Sequence, residues 1–458
     1  MGKTDLIYQH SPLWLQNGMV SLYGAWWHWL RFGGDFPNFK DGFHQRESFT
    51  RSQWNEFQQK TLIELLRVCV TEVSYYQENW SQSQRESAFA GDLAKLPLLE
   101  KQALRGFEDS FYRQGSRGLF KQTFQTSGTT GTPISTTFSL SELRESMAVR
   151  EVRSANWAGV SFSQPRATFS GRMVEPEAEE TRHVFRYNAA EKQVYFSAFH
   201  LKPSTARSYV EALWKYKTVW LTGYAVSFYL LACYILEQQI EVPPLKAVIT
   251  TSEKLTNQMR TVMEKAYRCK VYEEYSTVES ALFASECEHG KLHVSPDVGI
   301  VEILRPDGTE CEPDEVGEVV ATCLFRSYQP LIRFRLGDLA AWDPEPCPCG
   351  RQMPVIKEVV GRVEDVVTGP DGRQLVRFHG IFTDQPNIIE GQIIQETLTD
   401  FVVRLVPTEH YSETDENDVR QRMLNRLGDK VTVKIEKVSS IPRSSSGKFK
   451  AVISEVNH

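Results

Sequence analysis

The stretch Thr126-Ser127-Gly128-Thr129-Thr130-Gly131-Thr132-Pro133 carries two glycines, five hydroxyl side chains and no charge. Glycine lets the backbone come close to a ligand and adopt a positive φ, and the hydroxyl groups add hydrogen-bond donors around one anion. This composition predicts a phosphate-binding loop. A surface linker rich in Ser, Thr and Gly would look the same, and no G-x-x-x-x-G-K-[ST] motif occurs in the chain to decide between the two.

The residues on either side of the loop predict a β-hairpin, because Phe124 precedes it and apolar and polar residues alternate over 134–138. A helix is expected over 139–153, with Ser139 or Ser141 as its N-cap. Strands and helices then alternate through the middle of the chain. The predicted strands are 167–170, 194–197, 218–221, 245–250, one that starts at 270, 299–304, 317–324 and 331–335, and the predicted helices are 204–215, 225–237 and 255–267. This is an α/β pattern, in which ligands bind at the carboxyl ends of strands.

The pattern changes near Gly361-Arg362, which we predict to divide a large N-terminal domain, residues 1–361, from a small C-terminal domain, residues 362–458. The large domain is expected to combine mixed sheets and helices with a β-rich part. Its N-terminal region is expected to be mostly helical, with a helix over 54–73 and a polar loop over 81–87. The small domain is expected to be a mobile α+β module. Its predicted elements are strands at 401–406 and 431–438, a helix at 416–427 and a flexible tail that ends at Lys448.

The composition is that of a globular protein of 458 residues, with 41% hydrophobic and 24% charged residues. A net charge of −6 argues against a nucleic-acid partner. The N-terminus lacks the apolar core and cleavage site of a secretory signal, which favours a cytoplasmic location. Residues 218–236 carry no charge, but Thr222-Gly223-Tyr224 is expected to form a turn between a short strand and a buried helix, so no transmembrane segment is expected.

Residues 13–33 are rich in tryptophan and tyrosine and include Trp26-Trp27-His28-Trp29. Two interpretations fit this composition: a helix that packs against the large domain, or peripheral contact with a membrane surface. Lysine and arginine are too sparse in the stretch for strong binding to anionic lipid, which favours packing.

The eight cysteines are expected to be thiols or metal ligands, because disulfides are rare without a secretory signal. Cys287-x5-His293 and Cys347-x-Cys349 could together supply four soft ligands to a tetrahedral zinc ion. Such a zinc would be structural, since no coordination position would stay open. His289 competes with His293 as the nitrogen ligand, and free thiols with surface histidines are the alternative.

Five segments, in this order, resemble the motifs of the adenylate-forming superfamily: residues 126–133, residues 275–279, Gly337-Asp338, Gly361-Arg362 and Ser446-Gly447-Lys448. That superfamily includes acyl-CoA synthetases, peptide-synthetase adenylation domains and luciferase. Within it the chain resembles the phenylacetate–CoA ligase branch, and most of all the CapK-like proteins of capsular polysaccharide clusters. The narrower resemblance rests on residues 13–17, 196–201, 347–351 and 447–450.

The resemblance implies an AMP-forming acid–thiol ligase that works in two steps. A carboxylate attacks the α-phosphate of ATP to give an acyl-adenylate and pyrophosphate, and a thiol, usually that of CoA, then displaces AMP. The expected cofactors are ATP, Mg²⁺ and CoA, and the expected substrate is a small carboxylic acid. An amine, a hydroxyl or a carrier-protein thiol could replace CoA as the acceptor, and a non-catalytic scaffold that kept the fold is the remaining alternative. Whether the chain forms a homodimer is left open.

The resemblance also implies roles for individual residues. Lys448 would stabilise charge near the oxygen that joins the acyl group to the phosphate, and Glu279 would bind Mg²⁺. Asp338 would accept the ribose hydroxyls. Arg362 would contact the ribose or phosphate and mark a hinge whose pivot is Glu364. The nucleotide would otherwise be held by Thr126, Ser127, Gly128, Thr129, Thr130 and Gly131 at the β- and γ-phosphates, and by Ser252, Glu253, Glu274 and Tyr275 around the adenine, with Ser276 and Thr277 beside them.

Three positions depart from the family pattern. Ser276 replaces the usual glycine, Val278 replaces a hydroxyl residue, and Glu364 replaces an aspartate. None of these changes removes a charge that the first step needs, so adenylation is expected to be retained.

The acyl pocket is expected between the glycine-threonine loop and the strand ends. Its candidate residues are Phe196, His200, Tyr224 and either Arg186 or Arg172. His200 would act in the second half-reaction as a base or an orienting donor, and a buried histidine with satisfied hydrogen bonds is the alternative. One sequence does not reveal the polarity of the pocket, so an aryl acid and a hydroxy or amino acid both fit, as does a sugar-linked acceptor.

Overall fold

A computed structural model of the chain describes residues 8, 11–106, 108–115, 120–125, 134–170, 184–362, 367–370, 374–375, 378–382, 385–444 and 447–456. The predicted phosphate loop, residues 126–133, lies outside these ranges, as do Arg172, Glu364 and Ser446. The chain immediately before the loop, residues 120–125, and after it, from residue 134, is described.

The N-terminal region is helical, as predicted. Its helices are α1 (Leu13–Phe32), α2 (Phe36–Arg46), α3 (Arg51–Glu72), α4 (Ser74–Asn79), α5 (Gln82–Ala90) and α6 (Lys101–Gly106). Helix α3 confirms the helix predicted over 54–73, and Thr50 starts it with a capping box. The polar loop predicted over 81–87 is wrong, because Ser81 and Gln84 form a second capping box that starts α5.

A β-hairpin flanks the predicted phosphate loop, which confirms the sequence prediction. Its strands are β1 (Lys121–Gln125) and β2 (Ser135–Ser139), paired antiparallel. Ser139 then caps helix α7 (Leu140–Val149), because its hydroxyl accepts the N–H of Glu142 while the Glu142 carboxylate accepts the N–H of Ser139. The helix continues as a π-helix over Arg150–Ala155, a rare geometry that is frequent at functional sites.

One twelve-stranded sheet forms the centre of the large domain. Its strands are β3 (Arg166–Ser170), β4 (Phe185–Asn188), β5 (Gln193–Ser197), β6 (Trp220–Tyr224), β7 (Ala247–Thr251), β8 (Lys270–Ser276), β9 (Phe283–Glu286), β10 (Leu292–Val294), β11 (Gly299–Leu304), β12 (Gly317–Cys323), β13 (Phe334–Trp342) and β14 (Val355–Arg362). Their order is β11-β12-β13-β14-β10-β9-β8-β7-β6-β3-β5-β4. The pairs among β3, β5, β6, β7 and β8 are parallel. The α/β prediction is confirmed, and the strands predicted over 299–304 and 317–324 are β11 and β12. The strand predicted over 331–335 is wrong in its bounds, because Arg333 has a φ of 49° and β13 begins only at Phe334, and β14 was not predicted.

Helices α8 (Ala206–Lys215), α9 (Ala225–Glu237) and α10 (Asn257–Tyr267) connect the parallel strands, as the sequence predicts. The uncharged stretch 218–236 lies in the core, where β6 passes directly into α9. The turn predicted at 222–224 is wrong, because these residues complete the strand. Gly223 has a φ of 135°, and a Cβ there would lie 1.9 Å from the carbonyl oxygen of Phe169 on the neighbouring strand. Among the described residues, no helix is both long and apolar enough to cross a membrane.

The small domain has a four-stranded sheet with the order β19-β18-β17-β20. After the short strands β15 (Val367–Thr368) and β16 (Gln374–Leu375), its elements are β17 (Ile388–Gln395), β18 (Asp400–Pro407), α11 (Glu413–Leu427), β19 (Thr432–Lys437) and β20 (Val452–Ser454). The α+β prediction is confirmed, but β17 was not predicted. Its apolar pattern is interrupted by Glu390, which is buried and forms an ion pair with Arg443. The boundary at 361/362 stays a prediction.

Helix α1 packs one face on the large domain. Trp27 and Leu30 are buried in a cluster with Phe138 and Leu143, and the Trp27 ring meets Phe124 of β1 edge-on at 6.1 Å between centroids. The packing interpretation is therefore confirmed for this face. The other face stays exposed and is aromatic, with Trp14, Leu22 and Trp29 more than half exposed.

Candidate nucleotide-binding site

The carboxyl ends of β7 and β8 meet at one edge of the sheet, and a predicted binding segment lies at the end of each strand. Thr251 of β7 lies opposite Glu274 of β8, so the residues beyond these strands are neighbours. Ser252 has a positive φ of 70°, which residues other than glycine adopt in tight turns. The structure thus brings Ser252 and Glu253 close to residues 274–277, as expected for an α/β sheet.

Tyr275, Asp338 and Arg362 form a hydrogen-bonded group at this edge. The Tyr275 hydroxyl donates to Asp338 Oδ2 at 2.8 Å, and Arg362 Nε lies 2.9 Å from Asp338 Oδ1. Burial, followed by the charge of Asp338, raises the pKa of Tyr275 well above its usual value, so the phenol remains a donor at neutral pH. A carboxylate oriented in this way still has lone pairs for further donors, such as two ribose hydroxyls.

Lys448 of the small domain reaches the same place. Burial lowers the pKa of its ammonium group. The carboxylates of Glu253, Asp338 and Glu279 oppose that shift, and the charge of Arg362 adds to it. The negative charges that act on Lys448 thus come from three separate segments of the large domain.

Glu253 connects the two domains through backbone hydrogen bonds. Its Oε2 accepts the N–H of Val226 at 2.9 Å, and its Oε1 accepts the N–H of Phe449 at 2.7 Å. Burial raises the pKa of Glu253, and these two hydrogen bonds oppose the rise. The predicted contact of Glu253 with adenine stays a prediction. In this structure both of its carboxylate oxygens already have protein partners.

Glu279 is buried in a tight turn that is tied to the hairpin of the predicted phosphate loop. Arg326, which is fully buried, donates to the Glu279 carbonyl at 2.6 Å and to Thr136 Oγ1 of β2 at 2.7 Å. It also donates to the Thr137 carbonyl at 2.5 Å. Arg326 was not predicted, since it lies 47 residues from Glu279 and 190 from Thr136 along the chain.

Arg150 is a second cation that the sequence did not reveal. It stands at the start of the π-helix and donates to Ser276 Oγ at 2.9 Å, with its other terminal nitrogen 3.3 Å from Glu274 Oε1. Ser276 occupies the position where the family usually has glycine. This serine was the one sign in the sequence that a polar partner such as Arg150 lies nearby, because a serine hydroxyl at this position needs a hydrogen-bond partner.

A cavity of about 360 Å³ lies between the two domains. Phe199 and His200 line it from the large domain, and Glu390 and Arg443 line it from the small domain. The ring of His200 is buried and held in place, because Nδ1 lies 2.5 Å from Ser197 Oγ. The histidine therefore has a satisfied nitrogen and also borders a cavity, and its catalytic role stays a prediction.

The other candidates for the acyl pocket lie in different surroundings. The Phe196 ring is fully buried against Phe169, with centroids 5.1 Å apart. Arg186 donates to Gln16 Oε1 of α1 at 2.7 Å. Tyr224 lies at the domain junction, 3.6 Å from the place a Cβ on Gly447 would take. Of these three, Tyr224 is the one next to the segment that carries Lys448.

Cys287, His293, Cys347 and Cys349 come together away from these residues, and their ligand atoms all lie within 4.8 Å of one another. The Sγ atoms of Cys287 and Cys347 are 3.5 Å apart, and Cys349 Sγ is 3.4 Å from His293 Nε2. With zinc–sulfur bonds of about 2.3 Å and zinc–nitrogen bonds of about 2.0 Å, a tetrahedron has edges of roughly 3.4–3.8 Å. The ligand set fits zinc. It contains His293, whereas His289 offers its backbone N–H to Cys287 Sγ at 3.4 Å.

The fold is shared with AMP-forming CoA ligases. A crystal structure of 2-hydroxyisobutyryl-CoA ligase in the postadenylation state, with a 3-hydroxyisobutyryl adenylate, superimposes with a TM-score of 0.70 at 19% identity and covers 90% of this chain and 91% of that one. The anthranilate-CoA ligase AuaEII with anthranoyl-AMP gives 0.51 at 13% identity, covering 71% and 64%. The architecture of the adenylate-forming ligases is therefore present.

Sequence comparisons also identify relatives of the chain. The CapK C-terminal domain family matches residues 369–455. The chain is 24% identical to Protein CapK of Staphylococcus aureus, with 99% of each protein covered. Over its full length the chain is similar to Protein CapK, and it has the fold of the adenylate-forming ligases. A shorter match, 26% identical over 200 residues, is to the phenylacetate-coenzyme A ligase of Thermus thermophilus and covers 37% of this chain and 44% of that enzyme.

The chain superimposes better on one state of the 2-hydroxyisobutyryl-CoA ligase than on another. This ligase gives a TM-score of 0.70 in its postadenylation state and 0.54 in its thioesterification state, with 90% of this chain covered in both.

Proposed function

We propose that this protein is an ATP-dependent, AMP-forming ligase, which activates a small carboxylic acid as an acyl-adenylate and then transfers the acyl group to CoA. The observation that supports this best is the position of Lys448. Phe449, the residue directly after it, donates its N–H to Glu253 at 2.7 Å, which holds the lysine segment of the small domain at the large domain's loop after β7. The use of ATP and CoA supports a cytoplasmic location.

In the first step, a substrate carboxylate oxygen bonds to the α-phosphorus of ATP, and the bond to the bridging oxygen of pyrophosphate breaks. Two anions must approach each other, so a cation is needed between them. Lys448 would supply that cation; burial lowers the pKa of its ammonium group, and the charges of nearby carboxylates oppose that shift. Asp338, held by Tyr275, would accept the ribose hydroxyls, and Glu279 would hold the Mg²⁺ that accompanies ATP.

In the second step, the CoA sulfur bonds to the acyl carbon, the acyl–phosphate bond breaks, and AMP leaves while the thiol proton goes to a base or to water. His200 borders the cavity between the domains and is the candidate for orienting the thiol or accepting its proton. An amine, a hydroxyl or a carrier-protein thiol could reach the acyl-adenylate through the same cavity. The identity of the acceptor is therefore tested separately.

The first half-reaction is tested by pyrophosphate exchange across a panel of aryl, hydroxy and amino acids. At least one acid should support exchange in the wild type, and Lys448→Ala should abolish it while AMP still binds. Lys430→Ala, at an exposed position of the same domain, is the matched control and should exchange like the wild type. Full exchange activity in Lys448→Ala would refute the assigned mechanism.

The acceptor is tested by AMP release with and without CoA. A strong stimulation by CoA would support the thiol ligase. Adenylate formation without stimulation by CoA would favour an amine, hydroxyl or carrier-protein acceptor. If no acid supports exchange although ATP binds, the non-catalytic scaffold becomes the better description.

We also propose that Cys287, His293, Cys347 and Cys349 bind a structural zinc ion. The four ligand atoms lie within 4.8 Å of one another, two of their separations are 3.4 and 3.5 Å, and the soft donors suit zinc. The ligands come from the turn between β9 and β10, from β10 itself and from the loop before β14. The ion would therefore secure the start of β14, the strand that ends at Arg362.

Metal analysis of protein purified without nickel should find about one zinc per chain, as expected for a closed structural site. Cys347→Ser should lose the zinc and melt at a lower temperature, whereas Cys269→Ser, which lies outside the cluster, should keep it. Less than about half an equivalent of zinc in the wild type would refute the site. A Cys287–Cys347 disulfide, detected by mass spectrometry in place of zinc, would refute it as well.

A further inference from the structure

The junction between the two domains is built around the carboxylate of Glu253. One oxygen accepts the N–H of Val226 in the large domain at 2.9 Å. The other accepts the N–H of Phe449, the residue directly after Lys448, at 2.7 Å. A single side chain thus joins the large domain to the backbone that carries the proposed catalytic lysine.

The large-domain side of this junction is fixed by helix α9. Val226 lies in its first turn, where backbone N–H groups have no partner within the helix. The residue at the N-cap position, Tyr224, provides no capping hydrogen bond from its side chain. Glu253 fills that role from the loop after β7, and its negative charge is also favoured by the helix dipole. The carboxylate therefore has a fixed position before the small domain docks.

The small-domain side contacts the large domain on both sides of Lys448. Gly447 has a φ of 76° and packs so closely that a Cβ there would lie 3.3 Å from the Phe199 ring. Phe449 packs against the large-domain core and is covered by the Arg443 guanidinium, 4.9 Å from its ring centre. The backbone of Lys448 is thus held on both sides, by the packing of Gly447 and by Phe449. Phe449 also makes a polar contact with the large domain, the hydrogen bond from its N–H to Glu253.

We propose that Glu253 is a positioning residue, which holds the Lys448 backbone in place for adenylation by binding the N–H of Phe449. The inference rests on the proposed function. It assigns Glu253 to the first half-reaction because the contact occurs in a structure that superimposes better on the postadenylation state of the 2-hydroxyisobutyryl-CoA ligase than on its thioesterification state. The second half-reaction should not depend on it.

The expected effect follows from the strength of a hydrogen bond to a charged acceptor. Such bonds contribute about 1.5–3 kcal/mol, which corresponds to roughly a 10- to 100-fold change in rate if the contact is needed to place the lysine. Glu253→Ala removes both acceptors. Glu253→Gln keeps the shape and one acceptor oxygen, so it should rescue part of the loss.

Two half-reactions are measured for each variant. Glu253→Ala should lower pyrophosphate exchange about 10- to 100-fold, mainly through kcat, while thioester formation from a supplied acyl-adenylate and CoA stays within about twofold of the wild type. Glu237→Ala, an exposed residue at the other end of α9, is the matched control and should change neither. Equal losses in both half-reactions would overturn the proposal, as would unchanged exchange.

A second measurement does not require activity. Hydrogen exchange followed by mass spectrometry should show that the peptide containing the Phe449 amide is protected in the wild type and exchanges faster in Glu253→Ala, while peptides of the small-domain sheet are unchanged. Unchanged protection in the variant would overturn the proposal. If the wild type catalyses no exchange of pyrophosphate but protection is still lost in the variant, the ligase assignment fails and the docking role of Glu253 stands.

Discussion

The link between Glu279 and the predicted phosphate loop can be broken by Arg326→Met. Methionine keeps much of the buried volume and removes the donors to two backbone carbonyls, those of Glu279 and Thr137, and to one hydroxyl, that of Thr136. Each buried polar group left without a partner costs about 1–3 kcal/mol. The wild type, however, pays for burying the guanidinium, as its lowered pKa indicates. We therefore expect the free energy of unfolding to fall by roughly 2–4 kcal/mol.

Equilibrium unfolding in urea measures this loss. Arg422→Met is the matched control, because Arg422 forms an exposed i,i+4 pair with Asp418 that should contribute less than about 1 kcal/mol. The functional effect should be selective. Arg326 holds β2, the strand that leaves the loop, so ATP affinity should fall about tenfold, equal to 1.4 kcal/mol, while AMP affinity changes less than twofold. A variant as stable as the wild type, or one that loses ATP and AMP equally, would contradict the bridging role of Arg326.

Two further predictions concern the nucleotide site, and a third concerns the carboxyl group of Glu145 on helix α7. Thr129→Ala and Thr130→Ala should weaken ATP use and leave AMP binding largely intact, and equal loss of both affinities in a binding assay would place the loop elsewhere. Tyr275→Phe removes the hydrogen bond to Asp338 and should weaken binding of ATP and AMP alike, by about two- to tenfold in titration calorimetry; an effect on ATP alone would argue against a ribose site. Burial raises the pKa of Glu145 to about 8, so the native state holds its proton above pH 4.5, where the unfolded state releases it. This contribution to stability is present below pH 4.5 and lost as the pH rises towards 8, so Glu145→Gln should match the wild type near pH 4.5 and be more stable by at least about 1 kcal/mol at pH 8.5 in urea unfolding.

The parts of the fold that sequence reasoning found are those governed by local patterns. The serine at position 139 starts a helix through contacts with Glu142, three residues away, and its capping signal is visible in the sequence. The same signal at Ser81 and Gln84 was overlooked because the segment is polar and buries only Ala88. β17 was missed because Glu390 breaks its apolar pattern, and its burial depends on Arg443, 53 residues away.

The parts of the site that sequence reasoning found are those with uncommon residue types in a restricted spacing. The cysteines and His293 were predicted as a set, and the structure brings their ligand atoms together. Arg326 and the positioning role proposed for Glu253 were not predicted, since both depend on backbone groups of distant segments. Val226 and Phe449 contribute only their N–H groups, which every residue except proline carries. No pattern of side chains in the sequence can mark such partners.

Arg326, the Tyr275–Asp338 pair and Glu253 each hold a different part of the site. Variants at the three should therefore differ in how they change ATP affinity, AMP affinity and the rate of adenylation. Arg326 connects the hairpin of the predicted phosphate loop to Glu279, so its loss should lower the affinity for ATP and leave the affinity for AMP nearly unchanged. Asp338, held by Tyr275, is expected to bind the ribose, which ATP and AMP share, so its loss should lower the affinity for both nucleotides. In this proposal Glu253 acts on the lysine through Phe449 and does not contact the nucleotide, so its loss should lower the rate of adenylation and leave nucleotide affinity unchanged. A fall in the affinity for both ATP and AMP would instead support the predicted contact with adenine. If the three losses gave the same pattern, the site would be one cooperative unit, and roles could not be assigned to its residues one at a time.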